Sequence, residues 1–534
     1  MINSHVTLPL RLPQLLNKTP LKSPSISLPG TARFNQSHRP VLHSQNAPTN
    51  LMSTMVAMAS GGVPSIPSSI SPPPVTLPLK NIPGSHGLPL FGSIADRLDY
   101  FWFQGPDKFF RSRIEKNRST VFRTNVPPSF PFFLSDPKVI AVLDCKSFAH
   151  LFDMEVVEKK NVLVGDFMPS TSFTGNMRMC AYLDPSESQH SKIKNYTIDI
   201  LRRSSKIWIP ELESNLSTFW DGIESEIANN QKSSYRNLLQ PALFNFFSKT
   251  LAGADTAKSP EVAKSAYIDV IIWLGLQLVP TIHLGIFQPL EEIFLHSFRL
   301  PFFPIAGRYR RLYDFIEKEG EEVVQRGVSE FGLKKEEAIH NLIFTLGFNA
   351  YGGFSLFLPV LMDRILNDRT GLQQRIVDEV RAKSGSGLTF ESVKEMELVY
   401  SLVYETLRLD PPVPTQYARA RKDFKLSSHD AVFEIKKGEL LCGYQPLVMR
   451  DPNVFEEPEA FKPDRFREEK GAALLDYLFW SNGPQTGMTS EHNKQCAAKD
   501  LVVLTAVVFV AYIFRRYDSI AGEGGSITAL QKPN

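Results

Sequence analysis

The sequence predicts a mainly α-helical fold with a few small β-sheets, built as a single large domain behind a leader of different composition. Three observations carry this expectation. Eight segments, 106–115, 191–204, 214–229, 259–278, 308–329, 335–350, 371–382 and 390–408, return apolar residues at three and four spacing, the period of a helix with one buried face. Strand-like stretches are few and short. No similarity recurs at a fixed period, which sets aside solenoids and propellers.

From Met1 the chain reaches Asp96 before its first acidic residue, while Ser, Thr, Pro, Arg and Lys recur. That is the composition of a plastid transit peptide, and a Pro/Ser-rich tail without an address shares much of it. The expected organisation is a transit peptide over 1–60, cut near "VAMAS" at 56–60, a Pro/Ser-rich linker over 61–80, and the folded body over 81–534. The body opens on "NIPGSHGLPLFGSIADRLDYF" at 81–101, a proline-stiffened entry segment. Strands are expected in "TVFRTNV" from Thr120, "PFFLS" from Pro131 and "AVFEIKKGELLCGY" from Ala431. The apolar runs 270–287, interrupted by Pro280, and 501–514 read as buried helices. The second falls short of the roughly 20 residues that cross a bilayer, and the first also suits a membrane surface. Neither a secretory signal nor a spanning helix is expected.

At 534 residues with 43% hydrophobic and 22% charged content, the chain has ample material for a core. The net charge of +3 is small, and no basic cluster is interleaved with aromatics, so nucleic acid is not an indicated partner. Cys145, Cys180, Cys442 and Cys496 lie far apart, without the paired spacing of a disulfide framework or a zinc site. The 38 phenylalanines suit a greasy pocket and equally a helical core. A small molecule is the expected partner.

Chemistry concentrates near the carboxyl end. In "YETLRLDPPVP", Glu405 and Arg408 stand three apart on one helix face, and "DPNVFEEPEAFKPDRF" adds Arg465 as a second cation for Glu405. Such a pair is commonplace by itself. The ordered series is more specific: E-x-x-R, P-x-R-F, a glycine-containing loop, then the single Cys496 ahead of the helix "AAKDLVVLTAVVFVAYIF". On these residues the sequence resembles the cytochrome P450 superfamily from about Asn81 onward, and the resemblance implies that superfamily's fold. It further implies haem b as cofactor, Cys496 as thiolate ligand to iron, and Glu405, Arg408 and Arg465 as a structural triad. A thiolate there suits the positive end of the following helix and the neighbouring Lys494 and Lys499, which are expected to lower its pKa. Lys494 stands where the superfamily usually carries a propionate-binding arginine. His190 and Lys194 in "DPSESQHSKIK" match its other propionate partners, and their i, i+4 spacing puts both on one helical face.

The departures from the superfamily are informative. Monooxygenases carry their glycine four residues before the cysteine; here Gly483 precedes Cys496 by 13, an insertion of nine residues. In "FTLGFNAYGGFSLFLPV", 344–360, Ser355 and Leu356 occupy the places of the acid and threonine that feed protons to bound dioxygen. Without that relay, the expected substrate brings its own activated oxygen. The sequence resembles the plant branch that rearranges fatty-acid hydroperoxides, which shares the insertion and the Asn of "FNAYGG". That resemblance implies no need for dioxygen, NADPH or a reductase. Asn349 is then the residue expected to position the hydroperoxide, since an amide both donates and accepts; a satisfied core amide is the other reading.

Two outcomes compete within the branch, lyase and allene oxide synthase. Both are implied to begin with homolysis of the O–O bond to an alkoxyl radical that closes to an epoxide beside a carbon radical. The lyase returns oxygen to carbon, giving a hemiacetal that splits into a short aldehyde and an oxo-acid; the synthase oxidises the radical to a cation. Synthases usually carry Phe where this chain has Leu163, and an aromatic face stabilises positive charge. Leu163 therefore points to the lyase, with plain pocket lining as the alternative. "NVLVGDFMPS", "RMCAYLD" and "LFWSNGPQTG" also resemble the 13-hydroperoxide lyases. Lys159 and Lys160 suit a substrate carboxylate or a haem propionate, or simply solvent. The expectation is a plastid, peripherally membrane-associated enzyme of oxylipin metabolism, with a lipid-binding protein without turnover as the non-enzymatic alternative.

Overall fold

The computed structural model describes residues 77–89, 91–126, 136–285 and 290–533. The transit-peptide reading, most of the linker and the strand expected at "PFFLS" lie outside the described residues. The strands are β1 (Leu79–Lys80), β2 (Val121–Asn125), β3 (Lys138–Val142), β4 (Val157–Glu158), β5 (Thr415–Ala420), β6 (Phe424–Ser427), β7 (Val432–Ile435), β8 (Leu440–Tyr444), β9 (Ser519–Glu523) and β10 (Ser526–Gln531). One sheet has the order β2-β3-β8-β5-β4, a second β1-β7-β6, and β9 and β10 form a hairpin. β3 runs parallel to β8, which is buried along its whole length, as its unbroken apolar sequence requires of a central strand. β1 takes the last two residues assigned to the linker and pairs with β7, so the ordered body begins slightly before residue 81.

Helices make up the rest. Those that position the site are α1 (Ser188–Asn230), α2 (Pro260–Leu278), α3 (Lys335–Phe344), α4 (Gly352–Leu366), α5 (Glu397–Leu409) and α6 (Lys499–Arg516). α6 is apolar on nearly every side and buried from Val503 to Ala511 on all but isolated positions, which is how an all-apolar helix sits in a core. The expected helices 106–115, 259–278 and 371–382 appear with ends shifted by a few residues.

Four boundaries differ from expectation. The segments 191–204 and 214–229 are one helix of 43 residues, continuous through Pro210. Proline there forfeits a backbone bond, but Trp208 is buried beside it and donates to Thr505 Oγ1 at 2.8 Å, tying the helix to α6. The segment 308–329 is broken at Gly320, where a Cβ would lie 2.9 Å from the carbonyl oxygen of Ala252. The segment 390–408 is likewise two helices, Phe390–Lys394 and α5. The segment 335–350 continues to Leu366 through a widened π turn at Thr345–Tyr351.

Among the described residues two helices, Pro260–Thr281 and Lys335–Leu366, are long and apolar enough to cross a membrane by length and composition alone. Windows of 44% and 56% buried residues tie them to the interior of the fold. Most of the core is one large cluster around α1 to α6. A smaller one, with Phe109, Phe110, Phe122 and Tyr417, fills the space beside the five-stranded sheet.

Candidate functional site: a thiol loop over a basic cluster

α5 buries Leu398, Leu402, Glu405 and Arg408 together, so the three-residue spacing carries the ion pair into the interior. Arg408 donates to both oxygens of Glu405 at 2.8 Å, and Arg465 Nε reaches the same carboxylate at 2.9 and 3.1 Å. The backbone N–H of Lys462 adds a further bond at 2.9 Å. The remaining guanidinium hydrogens go to the carbonyls of Met449, Pro458 and Ala460 from Arg408, and to those of Glu456, Glu457 and Ala460 from Arg465. Glu405 and Arg408 are wholly excluded from solvent. A lone solvated pair does not describe them; the charges pin the meander after β8 onto α5.

That meander leads into the loop of Cys496. The loop leaves at Ser481 and returns to it, since the Cys496 N–H donates to the Ser481 carbonyl at 2.8 Å. Asn482 Nδ2 donates to the Lys494 carbonyl at 3.1 Å, a second rung across the neck. The insertion is thereby a closed excursion whose two ends meet beside Cys496. Cys496 precedes the first turn of α6, and its carbonyl accepts from Lys499 N at 3.3 Å.

The electrostatics of the thiol differ from expectation. Burial pushes the Cys496 thiol up, and this outweighs the opposing pull of the Ala498 N–H, Lys194 and Lys499. Lys499 is paired with Asp500 at 2.7 Å, whose charge cancels part of its effect. Lys494 faces away: its ammonium donates to the carbonyls of Cys180, Ala181 and Leu183 at 2.8, 3.1 and 2.8 Å. Lys194 replaces it as the cation beside the thiol, because its ammonium caps the carbonyl of Gln495.

Four basic groups gather here. His190 and Lys194 project from α1 to the loop, His190 Nδ1 meeting the Glu491 carbonyl at 3.0 Å. Lys159 is buried and donates to Asn482 Oδ1 and, at 3.3 Å, to Gln416 Oε1. Lys159, Lys194, Lys494 and His190 are bonded only to neutral oxygens. Burial, and then the charge of Lys494, lowers Lys159 to about 7 and His190 to about 4. Burial likewise brings Lys494 down to about 8 and lowers Lys194. A cavity of ≈ 180 Å³ opens between Lys159, Lys494, Asn482 and Asn493. Burying several cations without an acid is costly, and a ligand with two carboxylates supplies what the cluster lacks. The donor set therefore fits a haem, whose propionates these groups would hold while Cys496 offers a soft sulfur ligand.

The long helix contributes Asn349 in its π turn, a deformation common at functional sites. Gly347 and Gly352 allow it to sit against α2: a Cβ at either would lie 3.1 Å from Val270 or 3.0 Å from Leu274. Asn349 is exposed, and its amide has no hydrogen-bond partner among the described residues, so a satisfied core amide is not what it is. Ser355 Oγ is buried without a partner and Leu356 is half-buried. Neither residue carries an acidic proton. Leu163 is half-buried against the main core.

Sequence reasoning passed over Gln495, Asn482 and Gln416. No periodicity or motif marks an amide as a partner of a distant lysine; only the closed loop does.

A family profile for cytochrome P450 matches residues 365–485 and stops within the lengthened loop. The chain is 61% identical to the fatty acid hydroperoxide lyase, chloroplastic, of Solanum lycopersicum, over 86% of this chain and 98% of the relative. It is 57% identical to the linolenate hydroperoxide lyase, chloroplastic, of Arabidopsis thaliana, over 90% of this chain and 99% of the relative. Allene oxide synthase CYP74A2 of Parthenium argentatum is 43% identical over 85% of this chain and 96% of the relative. With these identities spanning nearly the full length of the relatives, the chain belongs to the cytochrome P450 family, in the plant branch that holds hydroperoxide lyases and allene oxide synthases.

Proposed function

We propose that the protein is a haem-thiolate lyase that cleaves 13-hydroperoxides of linoleic and linolenic acids, through a hemiacetal, into six-carbon aldehydes and a twelve-carbon oxo-acid. The observation that carries the reading is the step in identity, 57 to 61% with hydroperoxide lyases against 40 to 43% with allene oxide synthases. Leu163 in place of an aromatic favours the same side, since it offers a cation no π face.

Haem b bound through Cys496 supplies cleavage of an O–O bond, favoured by electron density from the thiolate. Lys159, His190, Lys194 and Lys494 neutralise its carboxylates, and Glu405, Arg408 and Arg465 hold the segment that leads to the loop. Asn349, with its amide unengaged, is free to donate to one hydroperoxide oxygen and accept from the other. Ser355 and Leu356 provide no acid for proton delivery to dioxygen, so neither NADPH nor a reductase is needed.

Residues 1–60 direct the chain to the plastid, as the names of its chloroplastic relatives support. Peripheral membrane association is supported by exposed phenylalanines on two joined segments. Phe91 and Phe103 (75% and 71% exposed) lie on a segment joined to that of Phe294 and Phe303 (63% and 79%). The join is made by Glu292, which accepts from Trp102 at 2.8 Å and pairs with Arg97.

Incubation of the purified protein with 13-hydroperoxide and no reductant tests the function. Hexanal or hexenal is expected. Ketols from a hydrolysed allene oxide would replace the lyase by the synthase, and no consumption would leave a binding protein. Cys496→Ser is expected to abolish both the ferrous carbon-monoxide signature of a thiolate ligand and turnover.

A further inference from the structure

Resting on the reading of Cys496 as the haem ligand, we propose that Gln495 is a positioning residue: its buried amide staples the inserted loop shut and so fixes the adjacent sulfur. Gln495 is 4% exposed, and its side-chain nitrogen, backbone N–H and backbone carbonyl are all engaged. Nε2 donates to Ser481 Oγ at 3.2 Å and to the Pro484 carbonyl at 2.5 Å, both on the outgoing limb of the loop. On the returning limb its backbone N–H donates to Asn493 Oδ1 at 3.2 Å, and its carbonyl accepts from Thr489 Oγ1 at 3.2 Å and from Lys194. Ser481 therefore receives the Gln495 amide on its hydroxyl and the Cys496 N–H on its carbonyl.

The loop backbone is moulded to this side chain. A Cβ at Gly483 would lie 3.1 Å from Gln495 Cδ, and one at Gly487 would lie 2.8 Å from Gln495 Oε1. Gly483 also needs its positive φ of 156°, whereas Gly487 is not among the positive-φ glycines. A side chain at 487 would thus crowd the Gln495 amide and displace it. Nine added residues raise the entropy of closing the loop only slowly, but they free the residue next to the ligand unless something bridges the neck. Removing the amide leaves the Ser481–Cys496 backbone bond, the Asn482 rung and the longer Gln485–Asp500 bond at 3.3 Å to do so.

The test uses the full haem-loaded chain and its haem-free form. Gln495→Ala is expected to lose haem to a scavenging protein at least about tenfold faster, as the loss of both Nε2 hydrogen bonds implies. It should also show a smaller thiolate share of the ferrous carbon-monoxide absorption. In the haem-free chain, amide exchange at Cys496 should quicken by about the same factor. Turnover should fall with the thiolate share while KM stays put. Gly487→Ala should reproduce these changes by crowding Oε1, and the double variant Gln495→Ala/Gly487→Ala should be little worse than Gln495→Ala, because the methyl group then meets only the Pro484 carbonyl at 3.1 Å. If Gln495→Ala has wild-type haem loss and spectrum, or if the two substitutions simply add, the proposal fails. If Gln495→Ala does not fold, Gly487→Ala alone decides it, wild-type behaviour overturning the staple. Absence of a thiolate band in the wild-type protein would overturn the ligand reading, and the staple with it.

Discussion

Glu405→Gln is nearly isosteric and removes a single charge from the interior. The side chain it replaces accepts bonds from Arg408, from Arg465 and from the backbone of Lys462. The amide nitrogen of Gln would instead face guanidinium donors, leaving two buried cations with carbonyl partners only. Breaking a buried ion pair by removing one partner costs about 3–5 kcal/mol, a large part of the roughly 5–15 kcal/mol that holds a domain together. Over roughly 450 folded residues at about 2.1 cal/mol/K each, the unfolding entropy is near 1 kcal/mol/K, so the melting temperature should fall by about 3–5 °C. Urea denaturation of the haem-free protein measures the free energy directly. Asp430→Asn is the control. Its partner Lys80 is 50% exposed and Asp430 is 68% exposed, and an exposed pair of this kind is worth at most about 1 kcal/mol. A Glu405→Gln variant as stable as that control would refute the argument that the triad pins the meander onto α5.

Three further outcomes are expected. Asn349→Ala should keep haem and fold while lowering turnover at least about tenfold, as loss of one substrate hydrogen bond implies; stopped-flow consumption of hydroperoxide checks this, and full-rate turnover would remove Asn349 from the chemistry. Lys159, lowered to about 7 by burial and by Lys494, releases in the folded state a proton that the unfolded chain keeps up to about pH 10. Haem-free protein should therefore gain stability as pH rises from about 7. Lys159→Met should reduce that slope, leaving the share of Lys494 and Lys194, and stabilise the haem-free chain at neutral pH while weakening haem retention, as denaturation at about pH 7 and about pH 9.5 would show. His429 is raised above its ordinary 6.5 by its hydrogen bond to Asp451, 2.7 Å away, with Asp144 also facing it at 3.9 Å. Its contribution is fully present below pH 6.5 and lost as pH rises through the raised value. The melting difference between wild type and His429→Asn should accordingly be greatest in acid and shrink in base.

The sequence by itself determined the helical class, the ordered series from Glu405 to Cys496, and the departures at Gly483, Ser355 and Leu356. These are matters of local period and of residue order, which a linear reading preserves. The positions of helix ends were less legible. Pro210 goes against its usual local preference while Gly320 follows its own, because Trp208 anchors a helix through the one and a close approach to Ala252 favours the break at the other. Tertiary structure alone decided where charges point. Lys494 and Lys194 are both near Cys496 in principle, yet the carbonyls of 180–183 capture the first and the Gln495 carbonyl brings the second to the thiol. It also decided that the insertion closes on itself through Ser481, Asn482 and Gln495. Hydrogen bonds depend on the direction of groups distant in sequence and on the burial that excludes water from them, and neither quantity is written in residue spacing.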